Sequence, residues 1–297
     1  TLGGEVRRGR TRARQYGNVS GKRGALTFDA DQDARTANIY GELRYKPAEQ
    51  LSLIAGVIYA DGWRGRHVRF STTPALDGHI SFDEFSPKFG LLYEPSKNIQ
   101  FYANYSRSTE FPGFGEVFQT ASGTSSFIAS IRPQTAWTAE IGSRGRIGIA
   151  EWNISAYRAD LRHEMLQYMP GGNTAIPAAT FNADRTRHQG IEAALTLTPT
   201  NWLRLRQGWQ HNDFRFRHDI QFGNNRLPVA PRDAYRAEIR FGTEALHIAP
   251  NVEWQPKGAW ADYGNLKHTR GYALLGLSAG ATIARGIDLF LDARNLT

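Results

Sequence analysis

Four histidines, His163, His188, His211 and His218, are the side chains of this sequence best suited to acid–base or nucleophilic chemistry. Nucleophilic catalysis by serine needs a hydroxyl held beside a histidine that an acid orients. No serine-containing catalytic motif accompanies any of the four in the sequence. A hydrolytic enzyme is therefore an alternative that rests on the histidines alone, and we expect that the chain is not an enzyme.

A second group could bind a metal. His163, Glu164 and Met165, followed by Met169, offer imidazole and thioether ligands that suit copper. The chain has no cysteine, and a strand end that enters a loop is the simpler interpretation. The glycines in GGN at 171–173 are typical of a flexible loop tip, and no phosphate-binding strand–loop–helix pattern surrounds them. We expect no bound metal and no cofactor.

These side chains must be positioned by β-strands, because apolar and polar residues alternate with a period of two along the chain. The clearest segments are IEAALTL at 191–197, YRAEIRF at 235–241 and IDLFLDAR at 287–294. Such segments number roughly thirteen, which predicts an all-β protein.

The connections between the strands alternate in length. The short ones are 46–50, 94–98, 143–149, 198–201, 242–245 and 283–286; the long ones are 17–33, 60–84, 108–135, 165–185, 212–232 and 255–270. An antiparallel up-and-down meander with long loops at one end only is typical of an outer-membrane β-barrel.

The composition agrees with such a barrel. The 297 residues are 40% hydrophobic and contain no cysteine, and the mean hydropathy is -0.49. No run approaches the roughly 20 apolar residues of a membrane helix. In a transmembrane barrel only alternate residues face lipid, so the average stays polar. Residues 1–10 lack the apolar core of a signal peptide, so we expect the chain to be an internal piece of a longer precursor.

The basic charge does not indicate a nucleic-acid protein. The formal net charge is +8, but the arginines are spread over strands and loops, with no basic helix and no RNP-like motif. A basic surface that faces an anionic ligand or lipopolysaccharide is the better explanation, and we expect no nucleic-acid partner.

One face of the strands is polar, and aromatic residues cluster near the strand ends. Charged residues predicted to face a watery interior are Glu140, Glu192, Arg236 and Glu238, which a sandwich core would reject. The aromatic residues are Tyr45, Tyr59, Tyr93, Trp137, Trp152, Trp202, Phe241 and Trp254. Such positions suit the girdles of a membrane barrel; ordinary cross-strand pairing is the alternative.

Short motifs occur in a fixed order along the chain. They are FSPKFGL at 85–91 with Tyr93, YANYSR at 102–107 with FP at 111–112, EIG at 140–142, Asn182 with GIE at 190–192, LP at 227–228 with PR at 231–232, and LFLDARNL at 289–296. In type and order they resemble the strand motifs of TonB-dependent outer-membrane receptors, among them the siderophore receptors.

The resemblance implies a particular architecture. In that family a barrel of twenty-two strands encloses a plug, and this chain would cover roughly the ninth to the twenty-first strand. Residues 1–297 would then be a partial barrel domain without the plug and without the last strand. Glu192 could accept hydrogen bonds from arginines of the plug; a solvated carboxylate is the alternative. Gly190 could allow a bulky neighbour or the plug to approach the wall.

The resemblance also implies a function. The chain would be the wall and the recognition loops of a transporter in the outer membrane of a Gram-negative bacterium, which imports ferric siderophores or a similar metal chelate. Its partners would be that ligand, the TonB–ExbB–ExbD complex acting through the plug, and outer-membrane lipid with lipopolysaccharide. A passive porin or a substrate-specific channel is the alternative, although porins lack the motif series.

Aromatic and basic side chains of the long loops are the candidates for holding an anionic, aromatic chelate by cation–π and bidentate arginine contacts. They are Trp63, Arg64, Arg66, His67, Phe114, Phe118, Tyr168, Arg215, Arg217, His218, Trp260, Tyr263 and His268. For each residue taken singly, a solvated or loop-packing side chain is the alternative.

Overall fold

Thirteen strands form one antiparallel sheet, and each strand pairs with the sheet strands next to it in sequence. The computed structural model describes residues 1–121, 125–168 and 179–297. The strands of the sheet are β1 (Leu2–Val19), β2 (Lys22–Ala48), β3 (Leu51–Ser71), β4 (Gly78–Ser96), β5 (Ile99–Glu110), β8 (Gln134–Ile147), β9 (Ala150–Tyr168), β10 (Ala179–Thr200), β11 (Leu203–Phe216), β12 (Asp233–Gly242), β13 (Leu246–Gln255), β14 (Tyr272–Ala284) and β15 (Ile287–Ala293). The predicted all-β, up-and-down architecture is confirmed.

The sheet is open in the described part of the chain. β1 pairs with β2 alone, and β15 pairs with β14 alone. The two edge strands therefore expose backbone N–H and C=O groups that a membrane barrel has to pair. No helix in the described ranges is long and apolar enough to cross a membrane.

The six short connections are confirmed at one end of the sheet, which we call the short-turn end. The opposite, long-loop end differs from the prediction most at two places, and β9 and β10 also extend into the loop expected at 165–185. The expected loop at 17–33 is wrong, because β1 and β2 continue as a hairpin that closes at Ser20 and Gly21, with φ angles of 50° and 81°. The expected loop at 60–84 shrinks to 72–77, because β3 and β4 extend into it.

Charge pairing explains the hairpin that the apolar pattern missed. In the upper part of β1 and β2, Arg10 lies opposite Asp33, and Arg14 lies opposite Asp29. Arg12 donates two hydrogen bonds to Asp29, at 2.8 and 2.6 Å. Opposite charges across a strand pair support a ladder as apolar pairs do. These strands therefore continue where the apolar alternation stops.

The connection between β5 and β8 carries secondary structure of its own. It contains a one-turn helix, α1 (Phe114–Val117), and a small hairpin of β6 (Phe118–Ala121) and β7 (Ser125–Ile128). The remaining long connections join β9 to β10, β11 to β12, and β13 to β14.

Residue alternation gives the sheet an apolar face and a polar face. On the apolar face, large aliphatic side chains are exposed, such as Ile39 at 70% and Ile141 at 63%. Aromatic rings stack across strands on this face: Tyr93 with Phe101 at 6.4 Å, and Tyr105 with Trp137 at 4.9 Å. The first pair lies towards the short-turn end and the second towards the long-loop end. Aromatic rings on this face therefore pair across strands towards both ends of the sheet.

The two faces predict opposite responses to a charge. Leu195 lies on the apolar face of β10, and its neighbour Thr196 on the polar face. In the full-length protein folded in lipid vesicles, we expect Leu195→Arg to lower the free energy of unfolding by about 2–4 kcal/mol, because the guanidinium would enter hydrocarbon. Thr196→Arg, the matched control, should change it far less. Equal losses, measured by denaturant titration, would contradict a lipid-facing apolar face.

Candidate ligand-binding site

A groove on the polar face gathers three of the four residues predicted to face the interior. Glu140, Glu192 and Arg236 line this groove. Tyr102 donates its hydroxyl proton to Glu140 at 3.1 Å, and Arg236 lies 3.3 Å from Glu253. Glu238 lies one inward position further along β12, opposite Arg206 and Asn251, and is not part of the lining.

Glu192 differs from the other acids of the groove. Its side chain is exposed, and it forms no hydrogen bond or ion pair with any residue that the structure describes. On the same strand, a Cβ on Gly190 would collide with the backbone carbonyl oxygen of His211 and would lie 2.8 Å from the hydroxyl oxygen of Tyr157. The Tyr157 hydroxyl donates to Asn212 at 2.9 Å. Gly190 therefore allows the close approach of a bulky neighbour, as the sequence predicted, and that neighbour is Tyr157.

A first aromatic cluster fixes the loop between β5 and β8 against β4. Its buried members are Phe82, Val117 and Phe118, and Ile80, Phe111, Phe114 and Ile128 pack against them. The guanidinium of Arg66 lies 4.6 Å above the ring of Phe118 and donates to the carbonyl of Leu76 at 3.0 Å. The predicted ligand residues Phe114, Phe118 and Arg66 are thus brought together. They hold the loop in place, and Arg66 is only 5% exposed.

The other predicted residues of β3 lie in the strand and not in a loop. Arg64 donates to the carbonyls of Pro112 at 3.1 Å and Arg35 at 3.0 Å. Trp63 stacks on His79 with centroids 6.0 Å apart. His67 is exposed, and its Nδ1 lies 2.9 Å from Asp77.

A second aromatic cluster joins the β11–β12 and β13–β14 connections to strands β9, β10 and β11 at the long-loop end. Ala183, Phe216 and Leu227 are its buried core, and Leu166, Phe181, Phe214, Phe222 and Tyr263 pack around them. The Tyr263 hydroxyl donates to the carbonyl of Gln167 at 2.8 Å. Tyr168 meets Phe181 edge-on at 5.5 Å. The structure therefore brings the predicted residues Tyr168 and Tyr263 to one place.

Trp260 and His268 form a separate pair in the connection between β13 and β14. Their rings meet edge-on with centroids 4.7 Å apart, and the residues face each other across an isolated bridge. Val229 donates its N–H to the Trp260 carbonyl at 2.8 Å, which ties this connection to the one before it. Asp262 accepts the N–H groups of Leu266 at 3.0 Å and Lys267 at 2.6 Å. The pair is therefore held on an ordered loop.

Three predicted residues do not join the others. Arg215 lies in β11 and not in a loop, so its predicted place is wrong. Arg215 and Arg217 alternate with the inward-facing Phe214 and Phe216, and they lie on the side of the sheet that continues the apolar face. His218 is exposed with a φ of 54°.

The histidine and methionine group forms part of a polar network. Glu164 is buried, accepts the hydroxyl proton of Thr186 and lies 3.2 Å from His188 Nε2. Met169 and the GGN at 171–173 lie outside the described residues. Within the described ranges, no group of three His, Cys, Asp or Glu side chains could hold a metal.

Sequence reasoning missed the structural role of Asn182. Its Nδ2 donates to the carbonyls of Arg132 at 3.1 Å and His163 at 2.8 Å, and its Oδ1 accepts the N–H of Arg132 at 2.8 Å. It therefore ties the connection before β8 to the wall. In the sequence, only its position in the motif series distinguished Asn182, and that position does not predict which groups it bonds to.

The comparisons with known proteins identify this architecture. The family model for TonB dependent receptor-like β-barrels matches residues 1–296. The chain belongs to this family. The resemblance inferred from the motifs is therefore confirmed, and the apolar face is the outer surface of a β-barrel wall.

Named relatives are receptors and transporters. The chain is 26% identical over 219 residues to the catecholate siderophore receptor Fiu of Escherichia coli K12, a match that covers 70% of this chain and 28% of Fiu. It is 26% identical over 133 residues to the vitamin B12 transporter BtuB of Vibrio vulnificus, covering 45% of this chain and 21% of BtuB. This chain therefore corresponds to a part of such proteins.

Solved structures show the same fold. The crystal structure of E. coli K12 Fiu superposes with a TM-score of 0.73 at 20% identity, over 99% of this chain and 47% of that one. The copper transporter OprC superposes with a TM-score of 0.80 at 15% identity, over 99% of this chain and 48% of that one.

The loop that carries Trp260 and His268 should respond to pH. The N–H groups of Leu266 and Lys267 lower the pKa of Asp262 below its usual value. A lowered carboxyl pKa in the folded state stabilises the loop above the unfolded value of about 3.9, and this stability is lost as the pH falls through the folded pKa. A fluorotryptophan at Trp260, followed by ¹⁹F NMR, should therefore broaden below about pH 4.

The same signal should change at neutral pH in Asp262→Ala, because the N–H groups of Leu266 and Lys267 lose their acceptor. Asp77→Ala, which affects the connection at 72–77, is the matched control and should leave it unchanged. A Trp260 resonance that is identical in wild type and Asp262→Ala at every pH would contradict this role of Asp262.

Proposed function

We propose that the chain forms the wall and the recognition loops of a TonB-dependent transporter that imports a ferric siderophore or a similar metal chelate across the outer membrane of a Gram-negative bacterium. The family match over residues 1–296 carries the proposal. The similarity to a catecholate siderophore receptor supports the ligand class.

The orientation in the membrane follows from the two ends of the sheet. Outer-membrane barrels have short periplasmic turns and longer extracellular loops. The short-turn end would therefore face the periplasm, and both aromatic clusters would lie at the cell surface. No sequence motif or described side-chain cluster favours hydrolysis, and no observation favours a passive porin.

The proposed ligand contacts are candidate residues that remain accessible at the long-loop end. They are Tyr168 at the end of β9 and Trp260 and His268 in the connection between β13 and β14, with Tyr263 in the second cluster. His67 is not among them, because it lies in register with Ile39 and Tyr59 on the outer side of β3. Aromatic faces and imidazole groups suit the planar rings and the charge of a catecholate chelate. The wall would supply shape and contacts, and no chemistry would be done on the ligand.

The proposed partner of the polar groove is the plug. Glu192 has an exposed carboxylate without a hydrogen-bond partner among the described residues, and a plug arginine could pair with it in bidentate geometry. Energy from the TonB–ExbB–ExbD complex would reach the ligand through that plug, not through the wall.

The direct test is transport. Deletion of the gene should abolish ⁵⁵Fe uptake from one ferric chelate in a panel of catecholates, hydroxamates and carboxylates, and removal of TonB should give the same loss. Unchanged uptake of every chelate, or uptake that does not depend on TonB, would overturn the proposal.

Trp260→Ala should weaken binding of the transported chelate roughly tenfold, because it removes a stacking face. Trp202→Ala, at the short-turn end, is the matched control and should bind as the wild type does. Equilibrium titration of the full-length receptor with the ferric chelate measures both. Equal affinity in the two variants would exclude Trp260 from the site.

Glu192→Gln should loosen the plug while ligand affinity stays the same. Loss of a charge-assisted pair costs about 1–3 kcal/mol, so the plug should unfold at lower urea concentration. Glu244→Gln, in a short turn, is the control. A plug transition that is identical in both variants would contradict the proposed contact and would favour a solvated carboxylate.

A further inference from the structure

Six arginines lie on the outer side of the wall, beside the stacked rings of Tyr105 and Trp137. We call them the outer arginine patch: Arg158 and Arg162 of β9, Arg185 and Arg187 of β10, Arg215 of β11, and Arg217 directly after it. Two carboxylates accompany them. Asp160 pairs with Arg187 at 2.7 Å and Arg158 at 2.9 Å, and Asp213 pairs with Arg215 at 2.6 Å. The patch therefore keeps an excess of positive charge.

The strand register places positively charged residues opposite each other, so the excess charge destabilises the sheet unless an anion binds. Arg162 lies directly opposite Arg185, and Arg187 lies directly opposite Arg215. Like charges that face each other across strands destabilise a sheet. The hairpin of β1 and β2 shows the contrasting arrangement, since Arg10 and Arg14 there lie opposite aspartates.

Three members of the patch are available to a ligand. The side chains of Arg162, Arg185 and Arg217 form no hydrogen bond or ion pair with any residue in the described ranges. Arg217 donates its backbone N–H to the Arg185 carbonyl at 2.9 Å, which places the two residues side by side. Their guanidinium groups could therefore bind one anion together, and phosphate suits their forked donors.

The position of the patch relative to the membrane indicates which kind of phosphate it binds. Asp160 lies directly opposite Trp137, and Trp137 stacks on Tyr105 with centroids 4.9 Å apart. Both rings line the same recess as Arg162, Arg185 and Arg217. Tryptophan and tyrosine rings sit at the headgroup level of a membrane. The arginines thus lie where the headgroups of the outer leaflet would be, facing away from the polar groove.

We propose that the outer arginine patch binds the phosphate groups of a phosphorylated glycolipid, lipopolysaccharide, in the outer leaflet. The lipid supplies the anion that Arg162, Arg185 and Arg217 lack among the described residues, and its acyl chains lie along the apolar face below Tyr105 and Trp137. The proposal rests on the membrane location in the proposed function and is independent of the imported ligand.

The test uses the delipidated full-length receptor and native mass spectrometry. The wild type is compared with Arg162→Gln/Arg185→Gln/Arg217→Gln, and with a control that removes the same charge at the short-turn end, Arg144→Gln/Arg146→Gln/Arg285→Gln. The probes are bisphosphorylated lipid A, the same lipid A after phosphatase treatment, and inorganic phosphate.

We expect the patch variant to bind lipid A at least roughly tenfold more weakly, because it loses charge-assisted hydrogen bonds, and the control to bind normally. The wild type should bind dephosphorylated lipid A more weakly than lipid A by a similar factor. Equal lipid A binding by wild type and patch variant, or binding that ignores the phosphates, would overturn the proposal. Retention of inorganic phosphate as tightly as lipid A would replace it with a free-phosphate site.

Two further measurements on the patch variant, its stability and its affinity for the ferric chelate, separate loss of lipid binding from misfolding. In lipid-free detergent the patch variant should be at least as stable as the wild type, because the substitutions remove like-charge repulsion. A marked fall in the free energy of unfolding would show that the facing arginines do not destabilise the sheet, and would contradict the proposal. Binding of the ferric chelate should be unchanged in the patch variant, so failure of the lipid proposal and failure of the import proposal give different outcomes.

Discussion

Hydrogen bonding of the backbone within a membrane is the constraint on which the rest of this structure depends. A strand that crosses hydrocarbon has to give every N–H and C=O group a partner in a neighbouring strand. The long antiparallel ladders from β1 to β15 meet that demand between the two edges. Because side chains in such ladders alternate strictly, one face becomes apolar and the other polar. The groove, the stacked aromatic pairs and the arginine patch all take their positions from this alternation.

Much of the wall could be predicted from the sequence, since the period-2 pattern is a property of the residues themselves. The faces of β10 and β12, the short turns and the placement of Glu140, Glu192 and Arg236 towards one groove followed from it. The hairpin of β1 and β2 did not, because its ladder continues through arginine and aspartate and not through apolar residues. Strand length there depends on cross-strand charge pairs, which no single segment reveals.

The long-loop end was the least predictable part, because aromatic packing there joins residues far apart in sequence. Phe118 and Arg66 were chosen as ligand contacts for their chemistry, yet they stack on each other and fix a loop. Tyr263 reaches back to Gln167 through its hydroxyl. Only the fold shows which aromatic residues pack into these two clusters and which, such as Trp260, lie outside them.

The central claim is that this chain is a two-faced barrel wall with lipid on one side and water on the other. Residues 1–297 contain no cysteine. In the full-length receptor, with any cysteine outside this range replaced by serine, single spin labels can be introduced at 191–197 and studied in lipid vesicles. We expect labels at 191, 193, 195 and 197 to be accessible to oxygen, and labels at 192, 194 and 196 to be accessible to a water-soluble relaxation agent. Accessibility without this period of two would contradict the central claim.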